Sequence, residues 1–204
     1  MTAETSARDT RRRLLDAAAE LLTEVPYDDL SVRAVCTAAG ANPAAVHYHF
    51  GSKESLVAVL LEERFEPTWA TALDALADRP RTVADIVGVV LDPFVALQRD
   101  PASAPTVRVL AQFVLARPRT EWTGRWFRLE EWATLLAATV PGLDADTARR
   151  RWRFAFTVLM TELAVAEQLS PENLAALSDF LTAGLTGPAP TADPAPTATP
   201  KGTR

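Results

Sequence analysis

Two helix-start signals stand close together in this chain with a glycine between them, and this constrains its fold more than any other stretch. They lie in Leu30 to Glu54, LSVRAVCTAAGANPAAVHYHFGSKE. Ser31 has the chemistry of an N-cap, a hydroxyl able to accept from an unpaired backbone N–H of the first turn. Ala34, Val35 and Ala38 follow at helical spacing and offer one apolar face. Gly40 ends that helix, because glycine alone turns left-handed at little cost. Asn42 then offers a second cap, and Pro43 suits the first helical position, where its missing N–H is harmless. In the second helix Val46 and Phe50, an i,i+4 pair, point one way, while Ala44 and Tyr48 point the other, with Ala45 and His47 on the flanks. Two short helices joined by a tight glycine turn form a helix-turn-helix, the unit that places its second helix in the DNA major groove.

Around this unit the chain reads as helix throughout, with no alternating strand pattern. Leu14, Leu15, Ala18, Leu21 and Leu22 repeat at helical spacing over Thr10–Glu24, before the break at Val25-Pro26-Tyr27. Ser52 caps a long helix carrying Leu56, Val57, Leu60, Leu61, Phe65 and Trp69, bent at Pro67, and Asp78-Arg79-Pro80-Arg81 ends it. Further helices are expected over Thr82–Arg99, from Pro101 or Pro105 to near Pro118, over Glu121–Val140, over Ala145–Leu169 behind Asp144, and from Ser170-Pro171 to Gly184 or Gly187. Residues 1–9 are polar and read as a flexible arm. Residues 188–204, rich in Pro, Ala and Thr, read as a disordered tail. The fold class is therefore all-α: a head at 10–55 and a helical body at 56–187.

Composition sets limits on what the chain can do. No run of about 18 apolar residues is present, as a membrane-spanning helix would need. The start MTAETSARDTRRR lacks an apolar signal core, so a cytoplasmic protein is expected. Cys36 is the only cysteine, which excludes an internal disulfide. His47 and His49 lie two residues apart and diverge on a helix by about 200°, so no metal and no cofactor is expected. A net charge of −5 is unusual for a DNA-binding protein. Phosphate attraction must then be local, from Arg8, Arg11, Arg12, Arg13, Arg33 and Lys53, against Asp28, Asp29, Glu54, Glu62 and Glu63. Ala44 and Tyr48 are expected at base edges, with His47 beside them, Arg33 at guanine or a phosphate, and Lys53 at a phosphate near the start of the fourth helix.

The order of these elements resembles the tetracycline-repressor (TetR) family. The resemblance rests on a long first helix at Arg11–Glu24, the two-helix unit at Ser31–Ala39 and Asn42–Phe50, and the run His47-Tyr48-His49-Phe50-Gly51-Ser52-Lys53-Glu54. It covers Thr10 to Arg64, with one departure: His47 stands where many members carry tyrosine. It implies a ligand-responsive transcriptional regulator, most often a repressor, that binds a near-palindromic operator as a homodimer and is not an enzyme. It adds Ser31, Asn42, Pro43, Ala45 and His49 as contacts to double-stranded DNA. Aromatic content and analogy together suggest a pocket for a small apolar or aromatic effector at Phe113, Trp122, Trp126, Trp152 and Met160. The last two helices would form a four-helix dimer interface through Phe154, Val158, Val165, Leu174, Leu177 and Leu181. The same apolar residues could equally build an intramolecular core. The competing reading is a helical small-molecule-binding protein or enzyme, distinguished by failure to retain any duplex.

Overall fold

The computed structural model describes residues 2–77, 81–166 and 168–188. Among them nine α-helices run in chain order: α1 (Thr2–Glu24), α2 (Val32–Ala38), α3 (Ala45–Phe50), α4 (Lys53–Ala77), α5 (Val83–Arg99), α6 (Ala104–Ala116), α7 (Leu129–Ala137), α8 (Ala145–Val165) and α9 (Pro171–Thr186). A single 3-10 turn, Arg125–Phe127, precedes α7. The expected break at Asp78–Pro80 and the expected tail beyond residue 188 lie outside the described residues.

Local chemistry sets most helix ends. Ser31 Oγ accepts from Ala34 N–H at 3.0 Å, Asp144 from Thr147 N–H at 2.9 Å, and Ser170 from Asn173 N–H at 3.2 Å. Thr82 and Asp85 close a capping box at the start of α5. α4 continues through Pro67 to Ala77. Two expectations differ. The segment expected as a flexible arm, 1–9, is helical from Thr2 onward; within it Thr10 Oγ1 donates to the Ser6 carbonyl and Asp9 pairs with Arg13 one turn later. The helix expected over Glu121–Val140 begins only at Leu129. Its first residues turn their N–H groups away from the helix direction. Thr123 and Gly124 donate to the Glu62 carboxylate, and Arg125 and Trp126 to Glu66.

The head packs α1 against α2, α3 and α4. Leu14, Leu15, Ala18 and Leu22 meet Leu30, Val35, Cys36, Ala39, Val46, Leu56, Val57 and Leu61, all buried. Ala34 and Ala38, expected on the core side of α2, are exposed; Val35, Cys36 and Ala39 fill that place, turned by the seating of the α2 C-terminus on α1. In the body α8 packs on α6, α7 and α9, and α9 also on α5.

Head and body share α4 and meet again through α6. Tyr27, in the loop after α1, sets its ring edge-on to Phe113 at 5.0 Å. Arg117, just past α6, pairs with Asp28 at 2.7 Å and lies over the Tyr27 ring. Its guanidinium is held above its usual pKa by hydrogen bonds to Tyr27 and Asp28. Thr120 donates to Glu54 at 3.0 Å. The ring contacts continue from Phe113 through Trp122, Phe127 and Trp69 to Phe94.

Candidate nucleic-acid interface

Gly40 makes the turn between α2 and α3 at φ +58°, the left-handed region that glycine enters freely. Arg13 locks the turn from α1, donating to the Ala39 carbonyl at 2.7 Å. Asn42 shapes the turn into α3, which begins at Ala45 rather than at the expected Pro43 and whose cap residue Ala44 makes no side-chain bond: Asn42 Oδ1 accepts from Ala44 N–H at 2.8 Å and its carbonyl from Ala45 N–H at 2.8 Å. Pro43, also exposed, takes the Cys36 thiol on its carbonyl at 3.6 Å. These bonds fix the angle at which the six-residue α3 leaves the head.

The outward side of α3 carries Ala44, His47 and Tyr48, all exposed, with Tyr48 at 82%. On a helix these positions span an arc of about 100°, wide enough to face one groove. His49, half-buried, sets its ring edge-to-face on Tyr48 at 4.9 Å and tilts against Phe50. It supports the tyrosine from behind. His47 bonds through Nδ1 to the Gly51 carbonyl at 2.9 Å. Arg33 is exposed on α2 and has no hydrogen bond or ion pair among the described residues.

Two of the expected DNA contacts are engaged within the protein rather than open. Ala45 is only 9% exposed, because α3 is wedged against α1, α2 and α4 and gives this flank to the core. Lys53 does not extend into solvent. Its ammonium donates to the carbonyls of Tyr27 at 3.0 Å, Asp28 at 3.4 Å and Leu30 at 2.9 Å, and lies 4.4 Å from the Tyr27 ring centre. All three of its protons are engaged, so it pins the loop between α1 and α2 to the start of α4. Ser31 is likewise occupied as an acceptor in its cap.

The arginines sort in the same way. Arg11 bonds Glu63 at 2.8 Å, and Arg13 is held by Ala39 and Asp9. Arg8 and Arg12, one turn apart on α1, are exposed and unpaired among the described residues. The basic run marked this end of α1, but only the folded partners tell which of its members keep their charge for an outside anion.

In the body, the five residues expected around an effector do not enclose one space. Phe113 and Trp122 belong to the aromatic series reaching Trp69, while Trp126 and Trp152 are joined through Trp132. Met160 is buried. Phe127 and Trp132 stand between them, each in ring contact with one of the two series. A groove of about 790 Å³ lies against α1 and α4 and includes none of the five; Arg11, Glu63, Glu66 and Arg125 are among its walls. Two indole N–H groups, of Trp69 and Trp152, are buried without an acceptor among the described residues.

The expected dimer residues also divide. Phe154 and Val165 are exposed on α8, at 62% and 82%, with Val158 half-buried between them. Leu177 and Leu181, at 7% and 4%, face the protomer's own core with Leu185, since α9 packs on α5 and α8. Leu174 is half-buried. The open side of α9 carries Phe180, 62% exposed, among Ala176, Ala183 and Gly184.

Comparison with known proteins agrees with this geometry. Residues 14–60 match the family described as bacterial regulatory proteins, tetR family. The HTH-type transcriptional regulator UidR of Escherichia coli (strain K12) is 36% identical over 62 residues, 30% of this chain and 32% of UidR, so the match spans about a third of that relative's length. Two solved structures share the fold. The transcriptional regulator FadR from Bacillus subtilis, in complex with stearoyl-CoA, superposes with a TM-score of 0.56 at 19% identity over 86% of this chain and 97% of FadR. NalD, the secondary repressor of the MexAB-OprM multidrug efflux pump in Pseudomonas aeruginosa, gives 0.56 at 20% identity over 87% and 95%. Over residues 14–60 the head is thus similar to the tetR family of bacterial regulatory proteins, and the all-α fold is shared with these two structures over most of its length.

Proposed function

We propose that this protein is a cytoplasmic, ligand-responsive transcriptional repressor that binds a near-palindromic operator as a homodimer and lets go when a small effector binds its body. The observation that carries this is the exposed arc of Ala44, His47 and Tyr48 on a short helix held rigidly by Asn42, Gly40 and Arg13. Arg33, Arg8 and Arg12, exposed and without an ion pair to the described residues, add positive charge on the head. These few cations suit an acidic protein whose phosphate attraction has to be local.

Exposed Phe154, Val165 and Phe180, with half-buried Val158 between the first two, support a second copy as the body's partner. Apolar side chains this open on two adjacent helices gain by covering one another. The buried indole of Trp69, without an acceptor among the described residues and ringed by Phe94 and Phe127, supports an effector with an apolar frame and a hydrogen-bond acceptor, because a buried donor without a partner costs about 1–3 kcal/mol. The Bacillus subtilis regulator of the same fold was solved with an apolar-chained ligand, stearoyl-CoA. An effector that displaces α6 would pull on Tyr27 and Asp28 through Phe113 and Arg117, and so change how far apart two heads stand. It acts only to the extent that it binds one state better than the other.

Selection of bound duplexes from a random pool tests the reading. A two-fold sequence with half-site centres about 34–36 Å apart is expected. A pool from which nothing is retained, or an asymmetric site held by a monomer, would overturn it.

A further inference from the structure

The DNA-facing arc contains one side chain whose hydrogen-bonding sense is fixed by the backbone. Gly51 closes α3 at φ +79°, ψ −41°, and its N–H donates to the His47 carbonyl at 3.0 Å. No atom crowds the place where a Cβ would sit, so it is the backbone angle that calls for glycine here. In this conformation the Gly51 carbonyl comes back to 2.9 Å from His47 Nδ1. A carbonyl oxygen can only accept. Nδ1 must therefore carry the proton, and in the neutral ring Nε2 is a bare acceptor. Nε2 has no hydrogen bond to the described residues, and the side chain is exposed beside Tyr48.

An outward acceptor on a recognition helix is selective in what it can meet. Phosphate oxygens, guanine O6 and N7, and thymine O4 are all acceptors and offer the bare nitrogen nothing. Only the exocyclic amines, N4 of cytosine and N6 of adenine, present donors in the major groove. We infer that His47 reads sequence rather than backbone: its Nε2 takes a hydrogen bond from a cytosine or adenine amine in each half-site and disfavours an acceptor edge there. This rests on the DNA-binding reading above and adds the chemistry of one base edge to it. Gly51 acts as a positioning residue, since its carbonyl sets the tautomer of the ring.

Two measurements at pH 8 test it. In the free protein, long-range proton–nitrogen spectra of nitrogen-15 histidine, assigned against His47→Ala, are expected to show His47 protonated at Nδ1 and bare at Nε2; a ring protonated at Nε2 overturns the inference. Random-pool selection with the wild type, His47→Ala and His47→Gln then reads the base. One position per half-site is expected to prefer cytosine or adenine in the wild type. That preference should fall roughly five- to tenfold in His47→Ala, the value of one hydrogen bond, with the other positions unchanged. His47→Gln, whose amide oxygen can still accept, should keep part of it. A His47→Ala pool with the same preferences as the wild type at every position overturns the inference and leaves DNA binding standing. A wild-type pool that retains no duplex overturns both.

Discussion

Lys53→Met separates a structural lysine from a phosphate-binding one. Methionine keeps most of the apolar stem beside Tyr27 and removes the ammonium. The bonds to Tyr27 and Leu30, at 3.0 and 2.9 Å, are the strong pair, and the one to Asp28, at 3.4 Å, is weak. A charge-assisted bond contributes up to about 3 kcal/mol when buried, but Lys53 is half-buried and water replaces part of it, so about 1 kcal/mol for each of the two is reasonable. Loss of the ammonium from the Tyr27 face, 4.4 Å away, adds about 0.5–1 kcal/mol. The sum is about 2–3 kcal/mol, or a fall in melting temperature of roughly 4–12 °C for a chain of this size. Thermal unfolding followed by circular dichroism reads that directly. The second readout is the dependence of operator affinity on salt, measured where both proteins are folded. A phosphate contact contributes about 0.9 to the logarithmic slope, so two lysines in a dimer would contribute about 1.8. The expected result is a lower melting temperature with the slope unchanged. An unchanged melting temperature with a slope reduced by about 1.8 would refute the assignment and return Lys53 to the DNA.

Other perturbations probe the remaining elements. Glu62→Ala leaves the Thr123 and Gly124 N–H groups without an acceptor; a loss of about 2–3 kcal/mol is expected from denaturant unfolding, with faster hydrogen exchange at both amides, and unaltered exchange would contradict the anchoring. Phe180→Glu, at a position 62% exposed in the protomer, is expected to weaken self-association in sedimentation while changing protomer stability little; an unshifted association constant would place the dimer elsewhere. Asp144 is held below its ordinary pKa of 3.8 chiefly by the backbone N–H of Thr147. Because the folded-state value is depressed, its stabilisation is complete above pH 3.8 and is lost as the pH falls below that value. Asp144→Asn keeps a cap and should make acid unfolding below that pH less steep; an identical acid profile would count against the linkage.

What could be read in the chain was mostly what neighbours in sequence decide. Ser31, Gly40, Asn42, Thr82, Asp144 and Ser170 act on residues two to four positions away, so the helix ends and the helix-turn-helix were legible. Lys53 was not, because its three acceptors lie more than twenty residues upstream and are brought together only by the packing of α1 on α4. The stretch from Glu121 to Arg128 has an apolar pattern compatible with helix, yet Glu62 and Glu66 take its amides from about sixty residues away. Periodicity also shows that α9 is apolar on more than one side without saying which side meets its own protomer. Leu177 and Leu181 took the inner face, and Phe180 was left outside. The burial of the α3 flank was illegible for a similar reason: on six residues wedged among three helices, the core reaches as far as Ala45.

The outward arc of α3 as the surface that reads DNA is tested most directly by Tyr48→Ala, measured on the selected operator and on an unrelated duplex of the same length. At 82% exposed the ring contributes little to the fold, and the melting temperature should stay within a few degrees, corresponding to about 0.5 kcal/mol. Loss of one base-edge contact of about 1–3 kcal/mol in each half-site should lower operator affinity by roughly thirtyfold or more while leaving binding to the unrelated duplex unchanged. A variant that kept the wild-type ratio between the two duplexes would show that this helix does not read the groove.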